Sequence, residues 1–247
     1  MNTMNNSTKF KSKNKEVRKM KGKIIIIMVL AIALLGAGTA LAASIVNSKH
    51  DLRGGTAGPF KATAGQQGDQ VCIWCHTPHF ASAVTPPLWN KAVQATAYTA
   101  YGTTVAGTVP GAPAGVSKAC LSCHDGVNGI NNLINQAGTG GVTTGNNVAF
   151  NTTNAGTAVV ITGNALIGTN LTNDHPISLV YVETTAASLK VKTTPLTNWI
   201  GAATINGLLV GNNMECSSCH AVHDPANTLF LRVANTGSAL CLGCHGK

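Results

Sequence analysis

Apolar residues are spread unevenly along the 247-residue chain. The one long apolar run, IIIIMVLAIALLGAG, begins at Ile24, and eight lysines and arginines lie ahead of it between Lys9 and Lys23. The run is somewhat short of a membrane span. With its basic front and the small-x-small ending Ala40-Leu41-Ala42, it predicts an export signal over residues 1–42, cleaved after Ala42. No cysteine stands directly after that point, where Ala43-Ser44 follow, which argues against a lipid anchor. Beyond it the pattern predicts short elements only. From Gly126 to Asn173 there is no charged residue. The stretch VAFNTTNAGTAVVITGNALIGTN within it alternates β-branched runs with Asn-Ala-Gly and Gly-Asn turn signals, the pattern of strands and hairpins. Two uses suit such a segment, 126–173: an exposed, neutral β excursion, or a contact surface between copies, since a neutral face does not repel a copy of itself.

The cysteines change the picture. All eight fall in four Cys-x-x-Cys-His motifs: Cys72/Cys75/His76, Cys120/Cys123/His124, Cys216/Cys219/His220 and Cys241/Cys244/His245. A lone Cys-x-x-Cys could be a redox disulfide or half a zinc site. A histidine fused to every pair is instead the haem c attachment signature, in which two thiols capture the vinyl groups and the histidine ligates the iron. The expected cofactor is haem c, four copies, covalently attached. No thiol remains for a disulfide framework. Haem c is joined to its protein outside the cytoplasmic membrane, so signal and motifs agree on an exported protein, in the periplasm or beyond it.

Four histidines remain: His50, His79, His175 and His223. Four irons need four distal ligands, so the inventory closes with bis-histidine ligation throughout. Met214, the only methionine after the signal, lies two residues before Cys216 and is badly placed to cross to that haem's far side. His79 and His223 each follow a motif histidine by three residues. Three residues cannot pass round a porphyrin edge, so each must serve a different, adjacent haem. Chain proximity pairs His50 with the first haem; His175 lies between the second and third motifs.

Charge and composition narrow the class. Beyond residue 42 there are nine Lys/Arg and seven Asp/Glu, a net of +2, which two propionates per haem would turn negative. The formal +9 of the whole chain therefore gives no ground for a nucleic-acid partner. Aromatics are 4% of residues, poor material for a side-chain core. The expected fold is a multihaem cytochrome c: one domain, 43–247, mostly irregular coil with short helices at the motifs and a few β-hairpins, wrapped around a row of haems and dependent on them for folding. Trp89, Tyr98 and Tyr101, after the Pro86-Pro87 turn, are expected to pack on the first or second haem.

The blocks SIVNSKHDL, CIWCHTPH, PLWN, ACLSCHDG, NDHPISL, CSSCHAVHDP and LCLGCHGK resemble the doubled CXXCH multihaem cytochromes. Within these, the chain looks like the tetrahaem extracellular cytochromes that polymerise into conducting filaments, the OmcE type of nanowire cytochrome. The resemblance implies a homopolymer in which one histidine of each subunit ligates a haem of the next, with His79 the candidate, and other multihaem cytochromes as electron donor and acceptor. The function expected is electron transfer without catalysis, since bis-histidine iron has no open position. The rivals are a monomeric periplasmic shuttle with the same haems, a tetrahaem reductase or reductase subunit, and, more remotely, a haem-decorated adhesin.

Overall fold

The computed structural model describes residues 44–54, 60–64, 70–83, 87–92, 96–104, 109–136, 148–150, 157–183 and 188–246. The chain divides into two units, 1–42 and 43–247. The first, with the expected export signal, lies outside the described residues. Among the described residues no helix is long and apolar enough to cross a membrane.

Regular structure is sparse and gathers at the motifs. Helix α1 (Gly115–His124) carries the second motif, α2 (Cys216–Cys219) the third and α3 (Ala239–Cys244) the fourth. A two-stranded antiparallel sheet joins β1 (Leu179–Val180) to β2 (Asn213–Met214), with Leu179 opposite Met214 and Val180 opposite Asn213. The rest is coil with single turns of 3-10 helix, as the fold class anticipates. Helices this short lie far below the length at which propensity alone sustains a helix, so tertiary bonds must hold them.

Two side-chain clusters back the motifs. In the first, Trp74, fully buried between the first pair of cysteines, meets Phe150 edge-on at 5.7 Å and packs with Leu52, Ile130, Leu133, Val148, Val159 and Ile161. Cys75 and Cys123 lie against this cluster. The second holds Tyr181, Ile205, Leu208, Met214 and Cys244. Met214 is thus a core residue opposite Leu179. Gly243 sits beneath the Trp199 ring, and a β-carbon added there would overlap it, reaching 2.8 Å from a second ring carbon. Gly243→Ala is expected to destabilise the protein by about 1–3 kcal/mol, measured by denaturant unfolding, because the ring must shift within a packed cluster.

The described part of 126–173 differs from the strands expected of it. It makes isolated bridges, Leu133 to Lys91, Phe150 to Ala62 and Asn170 to Thr99, and a turn of 3-10 helix at Gly163–Ala165. Residues 137–147 and 151–156 lie outside the described residues. Asparagine amides take the place of a ladder here. Asn131 Nδ2 donates to the carbonyls of Val148 (3.1 Å) and Thr157 (2.8 Å), while its Oδ1 accepts from Val159 N (2.9 Å). Asn128, Asn131 and Asn132, which read as punctuation, are buried bonding capacity, and Val148, Phe150, Val159 and Ile161 turn inward.

Candidate haem centre

Each motif histidine sits where its short helix or turn ends. His76 N donates to the Cys72 carbonyl (2.9 Å), His220 N to Cys216 (3.0 Å) and His245 N to Cys241 (2.9 Å). At three of the four motifs a backbone carbonyl accepts from the imidazole Nδ1: Pro87 O for His76 (2.8 Å), Ala165 O for His124 (2.7 Å) and Leu229 O for His220 (2.9 Å). His175 Nδ1 does the same to Pro176 O (2.9 Å). A carbonyl can only accept, so Nδ1 carries the proton and Nε2 keeps its lone pair free for a metal. No motif in the sequence marks these carbonyls, which come from up to 41 residues away.

The histidines meet in pairs. His76 and His223 have ring centroids 6.0 Å apart, His50 and His124 6.2 Å, and His175 and His245 6.4 Å. Two imidazoles bound through Nε2 on opposite faces of one metal, with bonds of about 2 Å as for zinc–histidine, hold their centroids roughly 6 Å apart. These three pairs therefore fit bis-histidine iron. Among the described residues no three or more His, Cys, Asp or Glu side chains converge as a structural zinc would need.

The pairs depart from chain proximity. His50 stands beside His124, the second motif, and not His76. It is carried there by the Asn47–Asp51 turn, in which Asp51 accepts from Asn47 N (2.8 Å) and is gripped by Arg53 at 2.7 Å, and it stacks on Phe230 at 4.4 Å. Burial, reinforced by the nearby His124, lowers its pKa to about 4, so the ring stays neutral and able to ligate. His175 stands beside His245, the fourth motif, and not the second or third. His223 leaves His220 and reaches His76, as a three-residue spacing demands. His79 is exposed, and no ring contact joins it to another histidine among the described residues.

Thiols of consecutive motifs adjoin. Burial, then the neighbouring Cys123, pushes Cys75 up to about 12. Cys120 donates to Cys216, which raises the first thiol and lowers the second. Burial, then Cys244, pushes Cys219 up to about 11. Trp89 and Tyr98 also link motifs. Trp89 Nε1 donates to Ser122 Oγ (3.0 Å) and its ring meets His76 edge-on at 6.0 Å. Tyr98 OH donates to Asp125 (2.9 Å), next to His124, while Tyr101 lines a small cleft with His175 and Pro176.

Glu215 is a site residue that motif reading passed over. It is 4% exposed and caps α2, exchanging bonds with Ser218, and its carboxylate accepts from Ser117 of α1 and from Ser178 Oγ (3.0 Å). The sequence signal is the reverse of the usual capping box, with the carboxylate at the N-cap, Glu215, and the hydroxyl three residues on at Ser218, which is why motif reading passes over it.

A search of curated proteins found no match to the chain. Among protein-family models, the doubled CXXCH motif matches residues 210–247, which span the third and fourth motifs. A doubled motif of this kind marks covalently attached haem c, and it points to a haem-binding cytochrome of the multihaem c type.

Proposed function

We propose that this chain is a tetrahaem electron-transfer protein whose copies join end to end, each through a histidine given to the next. When bound, haem c supplies a one-electron iron couple, at relatively low potential where both axial ligands are histidine. The chain's residues would hold the four groups as His76/His223, His124/His50 and His245/His175, with His220 the proximal ligand of the remaining one. The observation that carries the polymer reading is the remainder. Of eight histidines, three pairs account for six, and the two left over are His220 and His79.

His79 is presented outward on a fixed backbone. Its carbonyl accepts from Thr77 Oγ1 (2.9 Å) and Asn135 Nδ2 (2.7 Å), and Phe80 beside it is 72% exposed at a φ of 53°. A pinned, exposed imidazole next to an exposed aromatic suits insertion into a second copy, where it would complete the site of His220. The export signal, together with the resemblance to filament-forming cytochromes, makes the cell exterior the proposed location.

Intact-mass measurement of the native protein is expected to find four haems on a chain beginning near Ala43. Electron micrographs of the same preparation are expected to show filaments in which every iron is low-spin. Separated subunits would leave one site of four incomplete, so about a quarter of the haem should turn high-spin on dissociation. Discrete native particles would replace the polymer reading. If those particles carried a high-spin site, the second reading, a reductase with its open iron at His220, would take its place; the leftover position of His220 is what favours it. Fully low-spin particles would indicate the shuttle.

A further inference from the structure

Three of the four motifs are gripped by the same short strap. At the first motif the strap is Leu88-Trp89-Asn90. Leu88 O accepts from Thr77 N (2.9 Å), Trp89 bridges His76, Asn90 N donates to the Cys75 carbonyl (2.8 Å), and Asn90 Nδ2 donates to the Ile73 carbonyl (2.6 Å). At the third it is Phe230-Leu231-Arg232. Phe230 O accepts from Ala221 N (2.7 Å), Leu231 bridges His220, Arg232 N donates to Cys219 (2.9 Å) and Arg232 Nε to Ser217 (2.7 Å). At the fourth it is Ser188-Leu189-Lys190, which precedes its motif in the chain. Ser188 O accepts from Gly246 N (2.6 Å), Leu189 bridges His245, Lys190 N donates to Cys244 (2.8 Å) and Lys190 Nζ to Leu242 (2.5 Å). The first strap residue has positive φ each time: 52° at Leu88, 58° at Phe230 and 50° at Ser188.

A strained non-glycine backbone at one position in three unrelated stretches points to a shared task. The task follows from how the motifs end. His220 and His245 leave their helices in extended conformation, at φ −113° and −93°. The carbonyl after the first cysteine is then among the orphans of a helix end, and at each of the three motifs the side chain of the third strap residue supplies its donor. The second motif is an internal control. There Asp125 continues the helical conformation at φ −82°, and its N–H serves the equivalent carbonyl, Leu121, at 3.1 Å.

We infer that Asn90, Lys190 and Arg232 are positioning residues for haem ligation. Each seats a strap on a CXXCH motif. At the first and third motifs, the carbonyl just before the strap, Pro87 or Leu229, is the one that accepts the Nδ1 hydrogen bond of His76 or His220. The inference rests on the haem reading, since a strap that orients an imidazole matters only where that imidazole binds iron. The Nδ1 bond makes the ligand a stronger electron donor and favours the oxidised iron. Loosening the strap should therefore raise the potential of its own haem.

The test compares Asn90→Ala, Arg232→Met and Arg232→Lys in the full-length holoprotein by intact mass and spectroelectrochemical titration. Arg232→Lys keeps a donor for Ser217, as Lys190 does for Leu242, while giving up the second Arg232 bond to Ile200 O (2.6 Å). Four haems with one titrating component moved upward in Asn90→Ala and Arg232→Met, and a return towards the unsubstituted potential in Arg232→Lys, is the expected result. Selective loss of the haem at the substituted motif, again rescued by lysine, would also support the inference. Unchanged potentials with four haems, or equal damage in the methionine and lysine variants, would overturn it. Fewer than four haems in the unsubstituted protein would instead count against the haem assignment beneath it.

Discussion

His79→Ala is expected to abolish the polymer while leaving the subunit folded, giving particles of single-subunit size by native sizing and no filaments in micrographs. Among the described residues the imidazole makes none of the bonds that hold its own loop; those run to the backbone carbonyl of His79, from Thr77 and Asn135, and survive the substitution. Nor does it pair with a motif histidine of its own chain. On the proposed reading, the variant removes a coordinate bond to the next copy, and with it the second ligand at His220 there. About one haem in four should become high-spin and bind carbon monoxide. His223→Ala provides the contrast. It empties the position opposite His76 inside the subunit, 6.0 Å away, so a high-spin signal should appear while filaments persist. Filaments of normal length and spectrum in His79→Ala would show that this histidine binds no iron, and the polymer would need another joint. Loss of filaments with every iron still six-coordinate would place His79 in packing alone.

The motif spacing made the attachment chemistry readable from sequence, because four Cys-x-x-Cys-His units that use every cysteine leave little else for those thiols to do. It also made readable that His223 must leave His220, since that depends only on the reach of three residues. The partners of His50 and His175 were not readable. Chain proximity put them at the first motif and at the second or third; the Asn47–Asp51 turn and the segment before β1 carry them to the second and fourth, across distances that local patterning does not encode. The straps were equally hidden. Asn90, Lys190 and Arg232 share no residue type, only the ability to donate to one carbonyl, and one of them lies upstream of its motif. The 126–173 segment misled in an instructive way. Its Asn and Thr residues look like turn signals until Asn131 is seen bonding three backbone groups from inside the core.

Glu215→Ala is expected to cost about 3 kcal/mol or more of stability, among the largest effects of any single side chain here. One carboxylate joins three elements. It accepts from Ser218 N in α2, from Ser117 Oγ in α1 and from Ser178 Oγ ahead of β1 (3.0 Å). Ser117 passes the connection on by accepting from Cys216 N (3.0 Å), and Ser178 by accepting from Ala114 N (3.0 Å). Alanine strands the buried donors of Ser117 and Ser218, and each buried, unsatisfied donor costs about 1–3 kcal/mol. Glu215→Gln keeps one acceptor oxygen and the shape, but turns an amide N–H₂ towards hydroxyls that must reorient to accept from it. Its loss should be smaller than that of alanine. Guanidinium unfolding in the His79→Ala background reads both variants without assembly adding to the apparent stability. Equal stability of the parent, Glu215→Gln and Glu215→Ala proteins would mean that α1 and α2 are held together by the packing of the second and third motifs, and that the carboxylate merely occupies the space between them.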